Sequence, residues 1–301
     1  MCGRYASSRS REELVVEFEV EFEAGEDHLG EPKRGFNIAP TDTVAVVVER
    51  TAVPAPGLPE EEVSASVLDA ADAHVTAELI NDERARAVRQ LRSLKWGLVP
   101  SWSKDASGGA RMINARLETL LEKPAYKKAA LSRRCLVPAD GWYEWQVSPT
   151  AKDARGRPRK QPFFMSPADG GGLALAGVYE FWRDARLPTG DPAAWLITFA
   201  VITTAAEPGL DTVHDRMPLV LPRDRWAHWL DPALNDPASV RGLTENLPAG
   251  RFTALPISTR VNSVRNDGPE LIEPAPADSL AGVVDPATGE LLGGPPAGSL
   301  F

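Results

Sequence analysis

Short apolar runs bounded by turn residues constrain this chain most. Gln161-Pro162-Phe163-Phe164-Met165, Leu173-Ala174-Leu175-Ala176-Gly177-Val178-Tyr179 and Trp195-Leu196-Ile197-Thr198-Phe199-Ala200-Val201-Ile202-Thr203 are rich in aromatic and aliphatic residues and are separated by Pro, Gly and Asp. Runs this short read as strands rather than helices. Val44-Ala45-Val46-Val47-Val48 adds a continuous buried strand, and Trp142-Tyr143-Glu144-Trp145 adds another. Hairpin spacing between such strands implies antiparallel pairing, because a parallel pair needs a long crossover. The expected fold class is therefore α+β: a mainly antiparallel β core, barrel-like or sandwich, with flanking helices. Ser10, with Glu13 three residues on, forms a capping box that starts one helix and leaves Leu14 and Phe18 on one face. Other helices are expected around Tyr126-Lys127-Lys128 and over residues 223–230, the latter with Trp226 and Trp229 facing inward.

A chain of 301 residues holds one large domain or two small ones. Residues 1–275 are read as a single domain. Residues 51–92 begin rich in Pro and Ala, turn acidic and then take on helical composition. An inserted, partly mobile segment with a helix within 66–92 is expected there, an integral core helix being the alternative. Residues 23–35 read as a loop and 148–161 as a polar, basic hairpin loop. Residues 276–301 are rich in Pro, Gly and Ala and are expected to be a disordered tail.

The chemistry begins at Met1-Cys2-Gly3-Arg4. If Met1 is removed, Cys2 carries an α-amine and a thiol two carbons apart, a 1,2-aminothiol that no internal cysteine supplies. An α-amine has a pKa of about 7.7–8.0 and is partly neutral near pH 7, whereas Lys, at about 10.4, is almost wholly protonated. Such an amine can attack an aldehyde to give an imine, and the thiol can close on the imine carbon as a thiazolidine. The thiol alone could instead attack a carbonyl. The plain alternative is that Cys2 is an ordinary residue after a start Met.

Charge and cysteine content bound the setting. Two cysteines, Cys2 and Cys135, cannot form a disulfide framework, which points to a reducing cytoplasm, with Cys135 read as a core thiol. No apolar run reaches about 18 residues and no signal pattern opens the chain, so no membrane is expected. A net charge of −9 argues against coating nucleic acid by bulk electrostatics but allows a local basic groove. Bases concentrate between Lys104 and Arg134 and between Lys152 and Lys160. Without CxxC, HExxH or a phosphate-binding glycine loop, neither a metal nor a nucleotide cofactor is expected.

Four residues have the right types for a site: Cys2 as nucleophile, Asn114 as amide, Glu144 as carboxylate and His214 as imidazole. In a strand, Tyr143 and Trp145 share one face and Trp142 and Glu144 the other. Glu144 is either an edge-strand charge or a carboxyl whose neutral form is favoured by burial, which suits proton transfer. His214 sits on a loop entering a strand, where a structural role competes with a catalytic one. His28, His74 and His228 have no such context. Trp96 and Trp102, near Lys104, are either core residues or a stacking platform for single-stranded nucleic acid.

Seven blocks of the chain resemble, in order, the SOS-response-associated peptidase family, the abasic-site processing proteins of the SRAP domain. They are Met1-Cys2-Gly3-Arg4-Tyr5, Phe36-Asn37-Ile38-Ala39-Pro40, Trp96-Gly97-Leu98-Val99-Pro100-Ser101-Trp102, Ile113-Asn114-Ala115-Arg116-Leu117-Glu118-Thr119, Asp140-Gly141-Trp142-Tyr143-Glu144-Trp145, Val213-His214-Asp215-Arg216-Met217-Pro218 and residues 261–267. The 51–92 segment is longer than the family's usual connection. The resemblance implies that Cys2, freed of Met1, links covalently to an abasic site in single-stranded DNA as a thiazolidine. It implies that Asn114 positions the Cys2 amine or the sugar, that Glu144 shuttles protons, and that His214 helps open the sugar hemiacetal. It assigns phosphate contacts to Arg4, Arg116 and Arg216, and contacts with neighbouring bases to Pro40, Trp96 and Trp102. Removal of Met1 by the protein itself and strand cleavage by β-elimination are further implied activities. The expected protein is a cytoplasmic monomer, associated with the nucleoid when bound to DNA.

Two rival readings stand beside this. Glutamine amidotransferases also begin Met-Cys-Gly, but Arg4 and Tyr5 replace the small apolar residues expected there, and no His-Arg-Gly-Pro-Asp block occurs. A non-catalytic single-strand binding module would use the tryptophans and residues 152–160 but not Cys2.

Overall fold

Five of the strands close on themselves. The computed structural model describes residues 2–23, 29–52, 86–188 and 191–292. Its elements begin with β1 (Tyr5–Ser7), α1 (Arg11–Glu17), β2 (Phe22–Glu23), β3 (Gly35–Ile38), β4 (Thr43–Ala52), β5 (Arg86–Trp96) and β6 (Asn114–Arg116). Then come α2 (Pro124–Ser132), β7 (Arg134–Ala139), β8 (Gly141–Lys152), β9 (Pro158–Pro167), β10 (Leu173–Arg183), β11 (Trp195–Ala205) and β12 (Arg216–Pro218). The chain ends with α3 (Trp226–Leu230), α4 (Pro237–Gly242), β13 (Phe252–Pro256), β14 (Val283–Val284) and β15 (Leu291–Leu292). The order β11-β10-β7-β4-β5 runs antiparallel, and a parallel pairing of β5 with β11, Lys95 with Thr198 and Trp96 with Phe199, closes the ring. β12 and β6 extend the ring from β11, and β2 from β5.

Strand alternation sorts the ring's side chains into an inside and an outside. Val44, Val46, Val48, Leu94, Trp96, Cys135, Val137, Leu175, Tyr179, Phe199 and Val201 form one apolar cluster. The alternate set, with Val47, Leu136, Ala176, Val178, Ala200 and Ile202, packs with Leu14, Tyr126, Trp226 and Trp229 of the helices. Helices cannot lie inside five strands, so the first set fills the barrel.

A second antiparallel sheet, ordered β13-β9-β8-β1-β3, caps the barrel. Its inner face contributes Cys2, Tyr5, Ile38, Trp142, Phe163 and Met165 to the barrel's interior cluster. Its outer face carries Tyr143 and Phe164 against Ile257, Val261 and Leu271. Tyr143 and Trp142 thus face opposite ways, as alternation requires.

The helices lie where their patterns put them. Ser10 Oγ accepts the Glu13 amide (3.2 Å) and Glu13 accepts the Ser10 amide (2.7 Å), the reciprocal capping box. Phe18 stacks on Trp226 at 4.5 Å, tying α1 to α3. Arg134, buried, terminates two helices at once. It donates to the carbonyls of Ala130 (3.0 Å), Leu131 (2.9 Å), Trp229 (2.6 Å) and Asp231 (2.6 Å). Among the described residues no helix is long and apolar enough to cross a membrane.

Three expectations are corrected. Residues 86–92 are not helical: they belong to β5, which pairs with β4 along its length, and Arg89 meets Glu49 directly opposite at 3.4 Å. That partner supplies both hydrogen bonds and charge neutralisation, overriding local helical composition; residues 53–85 lie outside the described residues. The polar stretch 148–161 is mostly strand, with a turn at 153–157 in which Asp153 accepts the amides of Arg155 (2.8 Å) and Arg157 (2.9 Å). The tail is ordered through residue 292. Val283 and Leu280 are buried in the barrel cluster, and β14 pairs with β15; residues 293–301 lie outside the described residues.

Arg134→Met keeps the apolar stem and leaves four carbonyls at two helix ends without their donor. It is expected to lower unfolding stability by on the order of 3 kcal/mol, read from urea midpoints at unchanged m.

Candidate active site

Residue 2 reaches the barrel because β1 is clamped on both sides. Tyr5 pairs with Trp142 of β8 and with Ile38 of β3. The Tyr143 amide donates to the Arg4 carbonyl (3.0 Å), so the same register puts Gly3 opposite Glu144. Cys2 is fully buried.

Asn114 arrives from another direction. β5 leaves the edge of β11 at Gly97, whose amide still donates to Phe199 O (2.8 Å). β6 then takes up the same edge, with Asn114 opposite Val201. Gly97 has φ +126°, and a Cβ there would lie 2.6 Å from the Gly109 carbonyl oxygen, so only glycine lets the chain depart. Asn114 Nδ2 donates to the Cys2 carbonyl at 2.7 Å. Its Oδ1 is buried and accepts no hydrogen bond among the described residues.

Glu144 lies inside the capping sheet, 3% exposed, not on an edge. Burial pushes its carboxyl up from the ordinary 4.5 to about 7. Burial likewise pushes the Cys2 thiol well up, and the Glu144 charge adds to that rise. His214 sits on the loop before β12 with its side chain 29% exposed. Its Nδ1 accepts the Arg216 amide at 3.0 Å and also lies 3.0 Å from Asp215 Oδ1. These contacts exclude each other, since the first needs a bare nitrogen and the second a proton. Burial lowers the His214 pKa, which favours the neutral ring, the Arg216 contact and a proton on Nε2. Leu210 and Val213 of this loop share the barrel cluster with Cys2. Cys2 thus contacts Asn114 directly, the Glu144 charge acts on its thiol, and the loop that carries His214 shares its core cluster.

The expected nucleic-acid contacts divide. Trp96 is fully buried, stacks parallel to Phe199, and donates through Nε1 to Ile113 O (2.9 Å), so it offers no face to a base. Trp102 is 70% exposed. Pro40 is half-buried and precedes Thr41, which holds φ +77°, a strained value for a β-branched residue. Arg116 is exposed, and its guanidinium makes no hydrogen bond or ion pair among the described residues. Arg216 is already engaged by Glu118 (2.6 and 3.0 Å) and by Thr203 O (2.6 Å). Arg4 is engaged by Asn37 Oδ1 (2.7 Å) and Val261 O (3.0 Å), which makes it an internal anchor.

Sequence reasoning gave Asn37 no task, yet it is fully buried at the hub of that anchor. Its Nδ2 donates to Ser263 O (3.0 Å) and Asn266 O (2.8 Å) while Oδ1 receives Arg4. The signal was a lone amide between Phe36 and Ile38 in a strand. His228 is exposed, and His28 and His74 lie outside the described residues. Among the described residues no group of three His, Cys, Asp or Glu side chains is placed to hold a metal ion.

Because the folded pKa of Glu144 lies above its ordinary value, its contribution to stability is full below about pH 4.5 and is lost as pH rises through about 7. Glu144→Gln is expected to remove that loss. Comparing urea midpoints near pH 4.5 and pH 7.5, the variant should gain on the native protein by on the order of 3 kcal/mol. Equal pH slopes for the two proteins would exclude a buried, raised carboxyl.

Known proteins resemble this chain over most of its length. The family model for SOS response associated peptidase (SRAP) matches residues 1–264. YoqW of Bacillus subtilis (strain 168), an abasic site processing protein, is 32% identical over 274 residues, covering 91% of this chain and 99% of that protein. YedK of Escherichia coli (strain K12), another abasic site processing protein, is 29% identical over 275 residues, covering 91% of this chain and all of that protein. A crystal structure of a Bacteroides thetaiotaomicron protein shares the fold, with a TM-score of 0.62 at 19% identity over 91% of this chain and all of that one. The chain belongs to the SOS response associated peptidase (SRAP) family.

Proposed function

We propose that this protein processes abasic sites in single-stranded DNA by joining Cys2, once Met1 is removed, to the ring-opened sugar. The observation that carries the reading is the fixing of residue 2 by Asn114 Nδ2 (2.7 Å) within the field of a buried carboxyl poised at about 7. Abasic site processing is what the names of YoqW and YedK record.

The chemistry runs through the amine first. A buried thiol with a raised pKa is a poor thiolate, which also counts against an amidohydrolase that needs a charged sulfur. Neutral His214 would take the proton of the anomeric hydroxyl and pass it to the departing ring oxygen, exposing the aldehyde. The Cys2 amine adds to that carbonyl, and Asn114 Oδ1, a buried acceptor still open, can take one of its N–H groups. Glu144 in its neutral form protonates the carbinolamine hydroxyl, which leaves as water and gives the imine. The thiol then adds across the C=N bond, sulfur to carbon and proton to nitrogen, closing the thiazolidine. Net, aldehyde and aminothiol give thiazolidine and one water. A carboxyl near 7 can give the proton and retake it within one cycle, which a fully exposed carboxyl could not do as well.

DNA would be held outside this interior site. Arg116 has an uncommitted guanidinium for a phosphate, and Trp102 has an exposed face for a base. Both contacts ignore base identity, as recognition of a missing base requires. Self-removal of Met1 and β-elimination at the imine are parts of the same reading.

The test is incubation with a single-stranded oligonucleotide carrying one abasic site, followed by a denaturing gel and intact mass. A lesion-dependent adduct equal to the summed masses minus one water is expected, and it should be absent with Cys2→Ala. Glu144→Gln should slow it by about 10²-fold or more. The rate of the native protein should rise as His214 loses its proton, below the ordinary 6.5, and fall as Glu144 ionises around 7. No adduct from protein shown by mass to lack Met1 would overturn the proposal.

A further inference from the structure

We propose that Gln146 is a positioning residue for His214, and that the C-terminal segment 276–292, beyond the matched family model, holds it in that task. This rests on the role given to His214 above.

β8 presents Trp142, Glu144, Gln146 and Ser148 in alternation on one face, and all four are buried. Glu144 belongs to the site. Gln146, one step further along, spends its amide on two other segments. Its Oε1 accepts the Val284 amide (2.8 Å), and its Nε2 donates to Val284 O (2.9 Å) and Thr212 O (3.3 Å). Thr212 is two residues before His214. One side chain therefore couples the strand that carries Glu144, the loop that carries His214 and the C-terminal β14.

Within the loop the Val213 and His214 amides donate to Leu210 O (2.9 and 3.2 Å), and at its foot Asp215 O accepts the Ala206 amide (3.0 Å). Its apolar side, Leu210 and Val213, shares the barrel cluster with Leu280 and Val283 of the C-terminal segment. Two glycines mark how closely that segment is laid down. Ser148 Oγ donates to Gly282 O (2.5 Å). A Cβ on Gly282, which holds φ +76°, would lie 2.8–3.0 Å from Thr150 Oγ1, Ala151 Cβ and Ser148 Oγ. A Cβ on Gly209, at φ +94°, would lie 3.2 Å from Pro286 O. If the segment only covered apolar surface, an aliphatic residue at 146 would serve without the desolvation of an amide. A buried amide making three bonds to two segments fixes their relative position instead.

The experiment follows single-turnover adduct formation with the abasic oligonucleotide, separating the limiting rate from the half-saturating protein concentration. The variants are Gln146→Leu and a chain ending at Ala275. The limiting rate should fall about 10- to 100-fold for each, with half-saturation unchanged, as displacement of a reacting group predicts. A peptide of residues 276–292 should restore the rate of the shortened chain. If that chain does not fold, Gln146→Leu alone decides. In a His214→Ala background Gln146→Leu should add no further loss, whereas in a Glu144→Gln background it should cost its full factor. A full further loss in the His214→Ala background, or a change in half-saturation alone, overturns the brace and leaves the proposed function standing. If His214→Ala itself leaves the rate unchanged, the role of His214 falls and the brace with it. No adduct with the native protein removes the function and the brace together.

Discussion

Everything at this site depends on holding residue 2 still at the mouth of the barrel. Residues beside a chain end fray unless tied down, and β1 is only three residues long. Its paired neighbours β3 and β8 supply the ladder, and the Arg4–Asn37 hub supplies the rest. Through that hub residue 4 is bonded to Val261, and residue 37 to Ser263 and Asn266. Asp267 adds a further bond, accepting the Phe36 amide (2.6 Å), and Gly35 is bare because a Cβ there would run into that carboxylate. The first and last of the matching sequence blocks thus meet in one network. Burial lowers the Arg4 pKa, and one terminal nitrogen of its guanidinium donates to both Asn37 Oδ1 and the Val261 carbonyl, tying the two segments together.

Burial sets the electrical state of the site as well. It pushes the Cys2 thiol and the Glu144 carboxyl up and the His214 imidazole down. All three shifts favour the uncharged form. On the proposed reading that state is useful: a neutral acid, a neutral base and a protonated thiol await an electrophile that brings no charge of its own. Charge for the DNA must then come from the rim. With a net charge of −9 the body repels a polyanion, and two of the three arginines assigned to phosphate are already bonded within the protein. On the proposed reading Arg116 would carry more of that burden than residue type alone indicated.

What the sequence revealed and what it hid follow a physical line. The capping box at Ser10, the opposed faces of Trp142 and Tyr143, and the inward tryptophans at 226 and 229 were legible because each is set by local spacing. The strand at 86–92 was not, because its stability comes from β4, forty or so residues away in sequence. Trp96 and Trp102 are the same residue type in one motif, yet one fills the barrel and the other lies in solvent. Arg4, Arg116 and Arg216 are alike in sequence too. Whether a guanidinium is free depends on Asn37 and Glu118, which only the fold brings to it. The barrel's closure is equally hidden, since it rests on two parallel pairs between β5 and β11 that no hairpin signal announces.

β8 draws these strands of argument together. Its inner face carries the carboxyl at 144 and the amide at 146, and its outer face carries Tyr143, whose hydroxyl donates to Phe36 O (2.6 Å) beside the Arg4–Asn37 hub. A slip of one residue in its pairing would turn Tyr143 inward and Glu144 outward, moving the carboxyl to the wrong side of the sheet and removing the Tyr143 bond beside the hub at once. The strand is protected against that slip. Gly141 admits only hydrogen opposite Phe164 and the Met165 carbonyl, which pins one end. The Asp153 turn pins the other. Between them the strand is paired on both sides near Trp142, by β1 and by β9. Register, rather than any single bond, is what keeps the buried carboxyl at 144, the fixed residue 2 and the Gln146 amide in one place.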